Sequence, residues 1–406
     1  MKHICIVCSA KLPQPPSKGG AVPVLIDEIS SNNNIKKKLK ITYISLYDVE
    51  AEKMSIKYDP VYNAFIYVKP SKFSCAIDKI ISKLISIFRL SNKQHSFGNL
   101  AKTISFAHKV RKKINNGFDY LIFENSVVVL NNVLRSRRIR RNYAKKIFYH
   151  AHAVPRKIPG LVKSFALCKS VICVSEYIAR IIKKEFSVKS YLINTTVLYN
   201  GVNTSLFKPN KHIEFYNMFS VSKPLVVGFV GRICKEKGIF ELVKAIQLLN
   251  RDDIKLVIVG SNFYGSISSD SFLETLKEEC LKIKDKIEFA GYVKNEDMPL
   301  VYNQWHISCF PAVWEEPAGM TNIESSACGT PVISTISGGN VEYISKDNAI
   351  YISKDNQTTL IENIAEVLAN IMGNPKMLVE LSNKCYQNSQ VFSDEIYFDN
   401  FCKILF

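Results

Sequence analysis

The sequence predicts an α/β protein built from two doubly wound parallel sheets. Short apolar segments of strand length alternate with stretches of helical periodicity, a pattern typical of βαβ units and parallel sheets. The alternation occurs in two successive series along 406 residues, a length that fits two domains. A hydrophobic fraction of 47% with 22% charged residues is ordinary for a globular protein with a sizeable core.

The first series begins with the apolar segment HICIVCSA at residues 3–10. A loop rich in proline and glycine, KLPQPPSKGGAV at residues 11–22, leads into the helical pattern PVLIDEIS. Four further segments are predicted to be buried strands: KITYISLY (40–47), YLIFEN (120–125), KKIFYHAH (145–152) and SVICVS (170–175).

The second series follows the loop LYNGVNTSLFKP at residues 198–209, and helical patterns such as GIFELVKAIQLL (238–249) separate its strands. The predicted strands are LVVGFVGR (225–232), KLVIVG (255–260), IEFAGYV (287–293), ISCF (307–310), PVIST (331–335) and AIYI (349–352). We predict two domains, joined at the NGV turn near residues 200–203, with a cleft between them. Ligands of doubly wound sheets bind at the carboxyl ends of the strands.

The net charge of +18 is unevenly distributed along the chain. Residues 1–200 hold 35 Lys and Arg against 11 Asp and Glu, a net charge of +24, whereas residues 201–406 hold 19 against 25, a net charge of −6. A strongly basic half favours contact with an anionic surface, either phospholipid or nucleic acid. The alternative is a lysine-rich composition that only serves solubility.

Two segments of the first half combine basic residues with helical or dense charge patterns. AIDKIISKLISIFRLSNK (76–93) spaces Ile, Leu and Phe at helical intervals with Lys and Arg between them, as in an amphipathic helix on an anionic membrane. RSRRIRRNYAKK (135–146) is a dense basic segment. A core-packing helix and a solvated run of charges are the alternative interpretations.

Localisation is predicted from three features of the sequence. The first residues, MKHICIVCS, lack a signal-peptide cleavage pattern and fit a first strand. No segment reaches the roughly 18 uninterrupted apolar residues of a membrane span. Eleven cysteines without framework spacing predict free thiols in the reducing cytoplasm. We expect a cytoplasmic protein with peripheral contact at the inner face of the membrane.

The segment GRICKEKG (231–238) follows a predicted strand and opens a helix, with Arg232 and Lys237 between glycines. A guanidinium fork and a mobile ammonium both suit a diphosphate, and the positive end of the helix adds to them. A solvated basic turn is the alternative interpretation.

The segment SKGGAV (17–22) is a similar turn between the first strand and the first helix. Gly19 and Gly20 have no side chain in the way, so backbone N–H groups there can approach a phosphate. Many turns between a strand and a helix carry glycine without binding anything.

The segment EEPAGMTNIESSACGTPVIS (315–334) holds two glutamates with seven residues between them. Pro317 and Gly319 break a helix, so Glu316 is predicted to lie in a loop at a strand end. Its carboxylate can accept hydrogen bonds from sugar hydroxyls, while the N–H groups of residues 319–321 hold a phosphate or a hydroxyl.

Glu324 fits two interpretations. Thr321 is predicted to be the helix N-cap, which makes T-x-x-E a capping box with Glu324 at the third helical position. Glu324 also lies one turn into the helix, within reach of a ribose diol. Capping and binding are compatible, so both interpretations stay open.

The segment FYHAHAVPR (148–156) places His150 and His152 at the end of a predicted strand. The alternation of side chains along a strand puts both on one face. Either histidine can line a ligand site, and a satisfied core or surface histidine is the alternative.

These motifs resemble, in their order and spacing, the retaining glycosyltransferases of family 4, which have the GT-B fold. The resemblance is carried by VGRICKEKG, FAGYV, EEPAGMTNIESSACGTPVIS and GGNVEYI (338–344), and it extends upstream to LYNGVNTSLFKP, VSEYIARII (174–182) and the N-terminal glycine loop. It implies an N-terminal acceptor-binding domain (1–203) and a C-terminal nucleotide-sugar-binding domain (204–390). The last segment, 391–406, resembles the helix of this fold that crosses back to the first domain.

The resemblance also implies which residues contact the transferred sugar. Glu316 would bind donor-sugar hydroxyls, and the backbone around Gly319, Met320 and Thr321 would hold the sugar and phosphate. A histidine at such a strand end lies next to the transferred sugar, and His152 matches that position better than its neighbour at 150. Glu316 and His152 are therefore the implied catalytic residues.

On the nucleotide side, the resemblance implies that Glu324 takes the ribose. Arg232 and Lys237 would clamp the departing diphosphate, and the stretch Tyr292–Val293 would face the base. The glycines at 19 and 20 would contact phosphate or the acceptor side of the cleft.

One position departs from the family pattern, which usually has an aromatic residue where Ala318 stands. The smaller side chain leaves more room beside Glu316 and bears on the identity of the donor sugar. No metal-binding D-x-D motif occurs near a strand end, and Arg232, Lys237 and helix dipoles can stabilise the departing diphosphate. We expect no metal and no cofactor, because the nucleotide-sugar is a substrate.

The resemblance implies transfer of a hexosyl group, with retention, from a nucleotide-sugar to an acceptor hydroxyl. UDP-sugar is the expected donor by family frequency, and the expected acceptor is a glycan or a lipid-linked acceptor in bacterial capsule, lipopolysaccharide or exopolysaccharide biosynthesis. One alternative is another GT-B enzyme, such as a nucleotide-sugar epimerase. The other is a basic nucleic-acid-binding protein, but the sequence offers no recognition motif beyond raw charge, so we expect no nucleic-acid partner.

Overall fold

A computed structural model of the chain describes residues 1–87, 99–210, 215, 219–260 and 271–406. The chain divides into two compact units. Unit 1 consists of Met1–Gly201 and Asp394–Phe406, and unit 2 of Val202–Ser393. Over these ranges each unit is a parallel sheet with helices between its strands, which confirms the predicted α/β fold class.

Unit 1 contains a seven-stranded parallel sheet over its described residues, with the strand order β3-β2-β1-β4-β5-β6-β7. The strands are β1 (Lys2–Val7), β2 (Leu39–Leu46), β3 (Asn63–Val68), β4 (Tyr120–Glu124), β5 (Ile147–Ala151), β6 (Ser170–Cys173) and β7 (Thr195–Val197). The central strands β4 and β5 are almost entirely buried, as expected for a parallel sheet covered on both faces. Their sequences are therefore mostly apolar, and the charged or basic side chains Glu124 and His150 lie at or next to the strand ends.

Helices connect the strands of unit 1. They are α1 (Ala21–Lys36), α2 (Val49–Ser55), α3 (Lys72–Ile87), α4 (Leu100–Lys113), α5 (Val127–Val133), α6 (Arg137–Tyr143), α7 (Leu161–Leu167) and α8 (Glu176–Phe186). Side-chain oxygens accept a hydrogen bond from a first-turn N–H group of α2, α5, α6 and α8, and they belong to Asp48, Ser126, Ser136 and Ser175.

Unit 2 contains a six-stranded parallel sheet over its described residues, with the strand order β10-β9-β8-β11-β12-β13. The strands are β8 (Leu225–Val230), β9 (Ile254–Val259), β10 (Ile287–Gly291), β11 (Ile307–Phe310), β12 (Val332–Thr335) and β13 (Ile350–Ile352). The helices are α9 (Ile239–Leu249), α10 (Ser271–Leu281), α11 (Met298–Tyr302), α12 (Met320–Ala327), α13 (Gln357–Gly373) and α14 (Met377–Ser389).

The last helix, α15 (Asp394–Leu405), belongs to unit 1, to which the chain returns after unit 2. It packs against α1, where Asn32 Nδ2 donates to Asp394 Oδ2 over 2.8 Å. Lys36 Nζ lies 3.2 Å from Asp399 Oδ1 in the same interface. The predicted helix that crosses back to the first domain is thus confirmed.

Both sheets reverse their strand order at one point. In unit 1 the reversal lies between β1 and β4, and in unit 2 between β8 and β11. Ligands of doubly wound sheets bind outside the carboxyl ends of the strands at such a point. Side chains that follow β4, β8 and β11 are therefore the first candidates for a site.

Two strands were not predicted, β3 and β7. β3 lies at an edge of its sheet and is only partly buried along NAFIYV, so its sequence lacks the continuous apolar run of a central strand. β7 has only three residues, all partly exposed. The predicted amphipathic helix at 76–93 is found as part of α3, and residues 88–93 of that prediction lie outside the described residues. Within the described part of the chain, every helix is too short or too polar to cross a membrane.

Candidate functional site

Glu316 lies in the loop after β11, and four hydrogen bonds hold it in place. Its Oε1 accepts hydrogen bonds from Trp314 Nε1 over 2.7 Å and from the Lys237 ammonium. Its backbone N–H donates to Ser337 Oγ over 3.1 Å, and its carbonyl accepts from the N–H of Gly339 over 2.6 Å. With 7% of the residue exposed, the carboxylate is nearly buried and already paired with a cation.

The loop that clamps Glu316 requires a glycine at 338. Gly338 has a φ of +50°, and a Cβ there would lie 2.2 Å from the Glu316 carbonyl oxygen. A side chain at this position would push the backbone of Glu316 aside. The glycine of the motif GGNVEYI is therefore explained by the close approach of the two loops.

Lys237 reaches Glu316 from the turn after β8. The turn ends at Gly238, the N-cap of α9, which has a φ of +71°. A Cβ at Gly238 would lie 1.9 Å from the carbonyl oxygen of Pro311, so only glycine lets this turn pack against the chain after β11. The Lys237 side chain is 24% exposed, and its Nζ also lies 5.8 Å from the centre of the Trp314 ring.

The N-terminus of α12 lies beside this pair, and its predicted cap is wrong. The helix begins at Met320 with Gly319 as N-cap and no side-chain cap, so Thr321 is its second residue. The N–H groups of Met320 and Thr321 donate to no acceptor among the described residues. Uncapped N–H groups and the helix dipole favour an anion or a hydroxyl at this end, and binding there stays a prediction.

Glu324 has no capping role, contrary to the predicted capping box. It is the fifth residue of α12, and its side chain turns to another helix, where Tyr302 Oη donates to Oε2 over 2.9 Å. Asn295 Nδ2 lies 3.5 Å from Oε1. Burial raises the pKa of the Glu324 carboxyl to about 7, against the hydrogen bonds from Tyr302 and Asn295, which lower it.

Two buried asparagines add polar atoms at Gly319. The side-chain oxygen and nitrogen of Asn322 and the Oδ1 of Asn340 are buried without a hydrogen-bond partner in the described part of the chain. A Cβ at Gly319 would lie 2.5 Å from Asn322 Nδ2 and 2.7 Å from Asn340 Oδ1, so both amides border the Gly319 backbone. These residues add hydrogen-bonding capacity where the sequence suggested only backbone groups.

The other predicted donor-binding residues of unit 2 are at the same end of the sheet, but no contact among the residues that the structure describes joins them in one cluster. Arg232 is exposed after β8 and makes no ion pair or hydrogen bond among the described residues. Val293 follows β10 and packs, partly buried, against a core cluster, whereas Tyr292 is 59% exposed. Ala318 packs against the same cluster from the Glu316 loop.

In unit 1, Gly19 and Gly20 lie in the turn between β1 and α1. Both have a positive φ, +65° and +100°, and Gly20 is the N-cap of α1 without a side-chain cap. The N–H of Gly19 donates to the carbonyl of Pro16 over 2.9 Å. The turn therefore presents an uncapped helix N-terminus at the carboxyl end of β1. A contact of this turn with phosphate or acceptor stays a prediction.

A buried carboxylate brings the two histidines together. Glu124 is the last residue of β4, and it pairs in register with His150 of β5. Its Oε2 lies 2.9 Å from Nε2 of His152 and 3.2 Å from Nδ1 of His150. The two imidazole rings lie with their centroids 4.0 Å apart, so the prediction that both histidines share one face is confirmed.

Burial and charge set the protonation of this cluster. Burial raises the pKa of Glu124, but attraction to His150 and hydrogen bonds from both histidines outweigh it and lower the pKa to about 2. Burial and repulsion by His150 lower the pKa of His152 to about 4, so this ring is neutral at neutral pH. Glu124 is thus an ionised acceptor between two ring nitrogens.

Two imidazoles and a carboxylate are also a donor set that zinc takes in proteins. The three ligand atoms lie within 4.8 Å of one another. The contacts of 2.9 and 3.2 Å to the carboxylate also have the length of hydrogen bonds, in which each facing ring nitrogen carries a proton. We interpret the three residues as a hydrogen-bonded cluster.

Sequence reasoning missed Glu124 and Trp314. Glu124 stands in the predicted strand YLIFEN, and a lone carboxylate closing an apolar strand next to a histidine-bearing strand is the signal that would have found it. Trp314 gives no comparable signal, because a tryptophan two residues before a glutamate occurs in many structural contexts and does not predict a contact between the two side chains. Its contact with Glu316 becomes visible only when the loop is folded.

Comparison with known proteins identifies the second unit. Residues 212–391 match the family described as Glycosyl transferases group 1. Spore coat protein SA of Bacillus subtilis (strain 168) is 22% identical over 353 residues, which cover 84% of this chain and 83% of that protein.

Two solved structures share the fold of this chain. HepE of Anabaena, solved in complex with UDP and glucose, has a TM-score of 0.71 and 15% identity, covering 100% of this chain and 99% of that one. Sucrose-phosphate synthase from Thermosynechococcus elongatus has a TM-score of 0.75 and 16% identity, covering 100% and 98%. Residues 212–391 therefore form a glycosyl transferases group 1 domain, and the chain is a glycosyltransferase with the GT-B fold.

Proposed function

We propose that this glycosyltransferase is a retaining enzyme of family 4 that transfers a hexosyl group from a UDP-sugar to a glycan or lipid-linked acceptor. The acceptor would belong to bacterial surface polysaccharide biosynthesis, that is, capsule, lipopolysaccharide or exopolysaccharide. In this proposal unit 2 binds the donor and unit 1 binds the acceptor.

One observation carries the donor part of the proposal. The nearly buried Glu316 is paired with Lys237 beside the uncapped N-terminus of α12. A carboxylate accepts hydrogen bonds from sugar hydroxyls, and an ammonium with a helix N-terminus neutralises a diphosphate. The three groups together match a sugar joined to a diphosphate.

A structural neighbour supports UDP as the nucleotide, and Glu324 supports a ribose, which UDP shares with other nucleotides. HepE was solved with UDP and with UDP-glucose, and it shares the fold at 15% identity. In the proposal, the Glu324 carboxylate accepts hydrogen bonds from the ribose diol, and Val293 lies against the base. Arg232, exposed after β8, joins Lys237 on the diphosphate.

The donor is tested by thermal unfolding with UDP, GDP, ADP, CMP and their common sugars. A ligand that binds the native state alone raises the melting temperature by mass action. We expect UDP and a UDP-sugar to stabilise the chain selectively. Selective stabilisation by GDP or ADP would show that the donor carries that nucleotide and not UDP. If none of the nucleotides stabilises a folded sample, the proposed donor site is contradicted.

Donor affinity is expected to depend on pH through Glu324. The free carboxyl has a pKa of about 7, and hydrogen bonds from a ribose diol favour its ionised form. Protonation as the pH falls through about 7 removes the charge and one of the two acceptor oxygens, so the dissociation constant for UDP-glucose should rise below that value, by at most about tenfold per pH unit. It should be constant above it. Calorimetric titration between about pH 5.5 and 8.5 measures this dependence.

The control for this dependence is Glu324→Gln. The amide keeps the size of the side chain and one acceptor oxygen, but it does not titrate. We expect weaker binding that no longer changes with pH. If the pH dependence persists in the variant, another group causes it and Glu324 is not the ribose acceptor.

We further propose that transfer needs no metal ion. Lys237, Arg232 and the N-terminus of α12 supply positive charge where the diphosphate departs. Donor turnover in the presence of EDTA should equal turnover in its absence. A loss of activity that Mg²⁺ or Mn²⁺ restores would contradict this.

The acceptor part of the proposal places α3 on an anionic membrane surface. Phe73 and Ile80 are 76% and 61% exposed on this helix, and Lys72, Lys79 and Lys83 are exposed on the same face. The opposite face is fixed to α4, because buried Asp78 accepts hydrogen bonds from two N–H groups at the start of that helix. Exposed apolar residues between lysines are what an anionic interface binds.

Replacing Phe73 and Ile80 together by glutamate is expected to reduce binding to vesicles of phosphatidylcholine and phosphatidylglycerol at least about tenfold. The change removes apolar surface and introduces repulsion from the anionic lipid. Co-sedimentation at low salt measures it. Ile56→Glu is the matched control, since Ile56 is 81% exposed in unit 1 and lies outside α3. Equal vesicle binding by the double variant and the wild type would refute the membrane role of α3.

A further inference from the structure

An ion pair within unit 2 joins the loop of Glu316 to the loop after β13. Lys354 Nζ lies 2.7 Å from Glu315 Oε1, and it also donates to the carbonyl oxygen of Trp314 over 3.2 Å. The Lys354 side chain is only 19% exposed, so most of its surface is covered by the surrounding chain. Lys354 therefore contacts both of the residues that directly precede Glu316.

Glu315 extends this contact to a third loop. Its other oxygen, Oε2, accepts a hydrogen bond from the N–H of Gly338 in the loop after β12, over 2.5 Å. The strands β11, β12 and β13 are parallel neighbours in the sheet, so the loops at their carboxyl ends lie side by side. Glu315 and Lys354 thus connect the Glu316 loop to the loops that follow the next two strands.

The carboxylate of Glu316 has one oxygen free for a ligand. Lys237 and the Trp314 indole both donate to Oε1. Oε2 has no hydrogen-bond partner among the described residues, and it is not one of the enclosed unpartnered atoms. The direction of Oε2 depends on the backbone of residues 314–316, which Lys354 and Glu315 hold from the side of β12 and β13.

We propose that Lys354 and Glu315 are positioning residues that hold this backbone so that Glu316 Oε2 meets a hydroxyl of the donor sugar. The inference rests on the proposed function, because it takes Glu316 as the ligand of that sugar. It implies that the ion pair sets the affinity for the sugar part of the donor and not for the nucleotide. A Lys354 ammonium that bound the diphosphate directly would instead affect UDP and UDP-sugar alike.

The first test is calorimetric titration of the whole chain with UDP and with UDP-glucose. Lys354→Met keeps the length of the side chain and removes the ammonium. We expect the dissociation constant for UDP-glucose to rise at least about threefold, as for groups coupled in one hydrogen-bonded network, and that for UDP to stay unchanged. Lys354→Arg, which keeps the charge and the donors, should restore most of the affinity.

Lys384→Met is the matched control, because Lys384 is a lysine of unit 2 in an ion pair with Glu380, 2.6 Å away on α14. Its removal should leave both dissociation constants unchanged. Equal losses for UDP and UDP-glucose in Lys354→Met would overturn the inference in favour of a direct contact with the diphosphate. Wild-type affinity for UDP-glucose in a folded Lys354→Met would also overturn it.

A double-variant comparison shows whether Lys354 acts through Glu316. In a Glu316→Ala background no side-chain acceptor is left to position. Adding Lys354→Met there should change the dissociation constant for UDP-glucose only by about onefold. If Lys354→Met weakens binding by the same factor in both backgrounds, its role is structural and independent of Glu316, and the inference is overturned.

The position of the loop is tested without any donor by ¹⁹F NMR of the chain labelled with fluorotryptophan. The chain has two tryptophans, Trp305 in the core and Trp314 beside Glu316, and Trp314→Phe assigns the signals. We expect Lys354→Met to shift the Trp314 signal and to leave the Trp305 signal in place. An unchanged Trp314 signal, or equal changes in both signals, would overturn the positioning role.

If Lys354→Met does not fold, Glu315→Gln carries the same tests. Its amide keeps an acceptor for the Gly338 N–H and removes the charge that pairs with Lys354. The outcomes also separate this inference from the proposed function. If Glu316→Ala leaves the affinity for UDP-glucose unchanged, the proposed sugar contact fails, and the ¹⁹F comparison still decides whether Lys354 positions the loop. If Glu316→Ala weakens binding and Lys354→Met does not, only the positioning role is refuted.

Discussion

Glu316→Gln is expected to lower kcat/KM for the UDP-sugar at least about 100-fold while the chain stays folded. A hydrogen bond to a charged group contributes about 1.5–3 kcal/mol, and the proposed role gives Glu316 more than one sugar hydroxyl to bind. Glutamine has the same shape and keeps an acceptor for the Trp314 indole, which now donates to Oε1 over 2.7 Å. Release of UDP and the melting temperature are measured on the same sample.

Glu380→Gln is the matched control for this substitution. Glu380 is an exposed carboxylate of unit 2 in a surface ion pair with Lys384. Such pairs contribute about 0–1 kcal/mol to stability, so turnover and melting temperature should both be close to wild type. Unchanged turnover in Glu316→Gln would show that Glu316 does not bind the donor sugar.

Lys237→Met is expected to have an effect of similar size and to lower stability as well. The change removes the ammonium proposed to meet the diphosphate, and it leaves the nearly buried Glu316 without its cationic partner. An uncompensated buried charge costs about 1–3 kcal/mol or more. We expect a loss in kcat/KM of at least about 100-fold together with a lower melting temperature.

Two further variants serve as controls for Lys237→Met. Lys235→Met changes an exposed lysine in the same turn and should leave both quantities nearly unchanged. Lys237→Met combined with Glu316→Gln should recover stability, because no unpaired carboxylate remains, but it should not recover turnover. A double variant that is as unstable as Lys237→Met would show that the ion pair is not the cause.

The strands of both sheets were largely predictable, because parallel sheets bury their strands on both faces and leave continuous apolar runs. LVVGFVGR and KLVIVG are such runs, and the structure has strands at Leu225–Val230 and Ile254–Val259. The partly exposed edge strand β3 lacks that signal. A local sequence pattern therefore predicts the buried central strands but not the partly exposed strands at the edge of a sheet.

The helix cap at Thr321 shows where local patterns fail. T-x-x-E satisfies the capping box, yet the helix starts two residues earlier than that box requires, and Glu324 accepts a hydrogen bond from Tyr302 of α11. A tertiary partner 22 residues away competes with the local bond, and the sequence contains no information on that distance. Because Thr321 does not cap the helix, the first N–H groups of α12 have no side-chain cap. Uncapped N–H groups at a helix N-terminus favour a ligand there.

The candidate site was only partly predictable for the same reason. Lys237 and Glu316 were expected to serve different parts of the donor, and the structure shows that they also contact each other. The Glu124–His152 contact joins two strands that are adjacent in the sheet but 28 residues apart in sequence. The order of the strands in the sheet brings these side chains together. Their spacing along the chain does not reveal that the two strands are neighbours.

The most direct test of the account is ¹H NMR of UDP-glucose incubated with the purified chain, in the absence of an acceptor. UDP release tests the donor, and the anomer of the glucose that forms first tests retention, since UDP-glucose carries the α-configuration. We expect UDP together with α-glucose from the wild type, and neither product from Glu316→Gln. Release of β-glucose would contradict a retaining mechanism, and the absence of UDP release with a full set of UDP-hexoses would contradict the proposed donor.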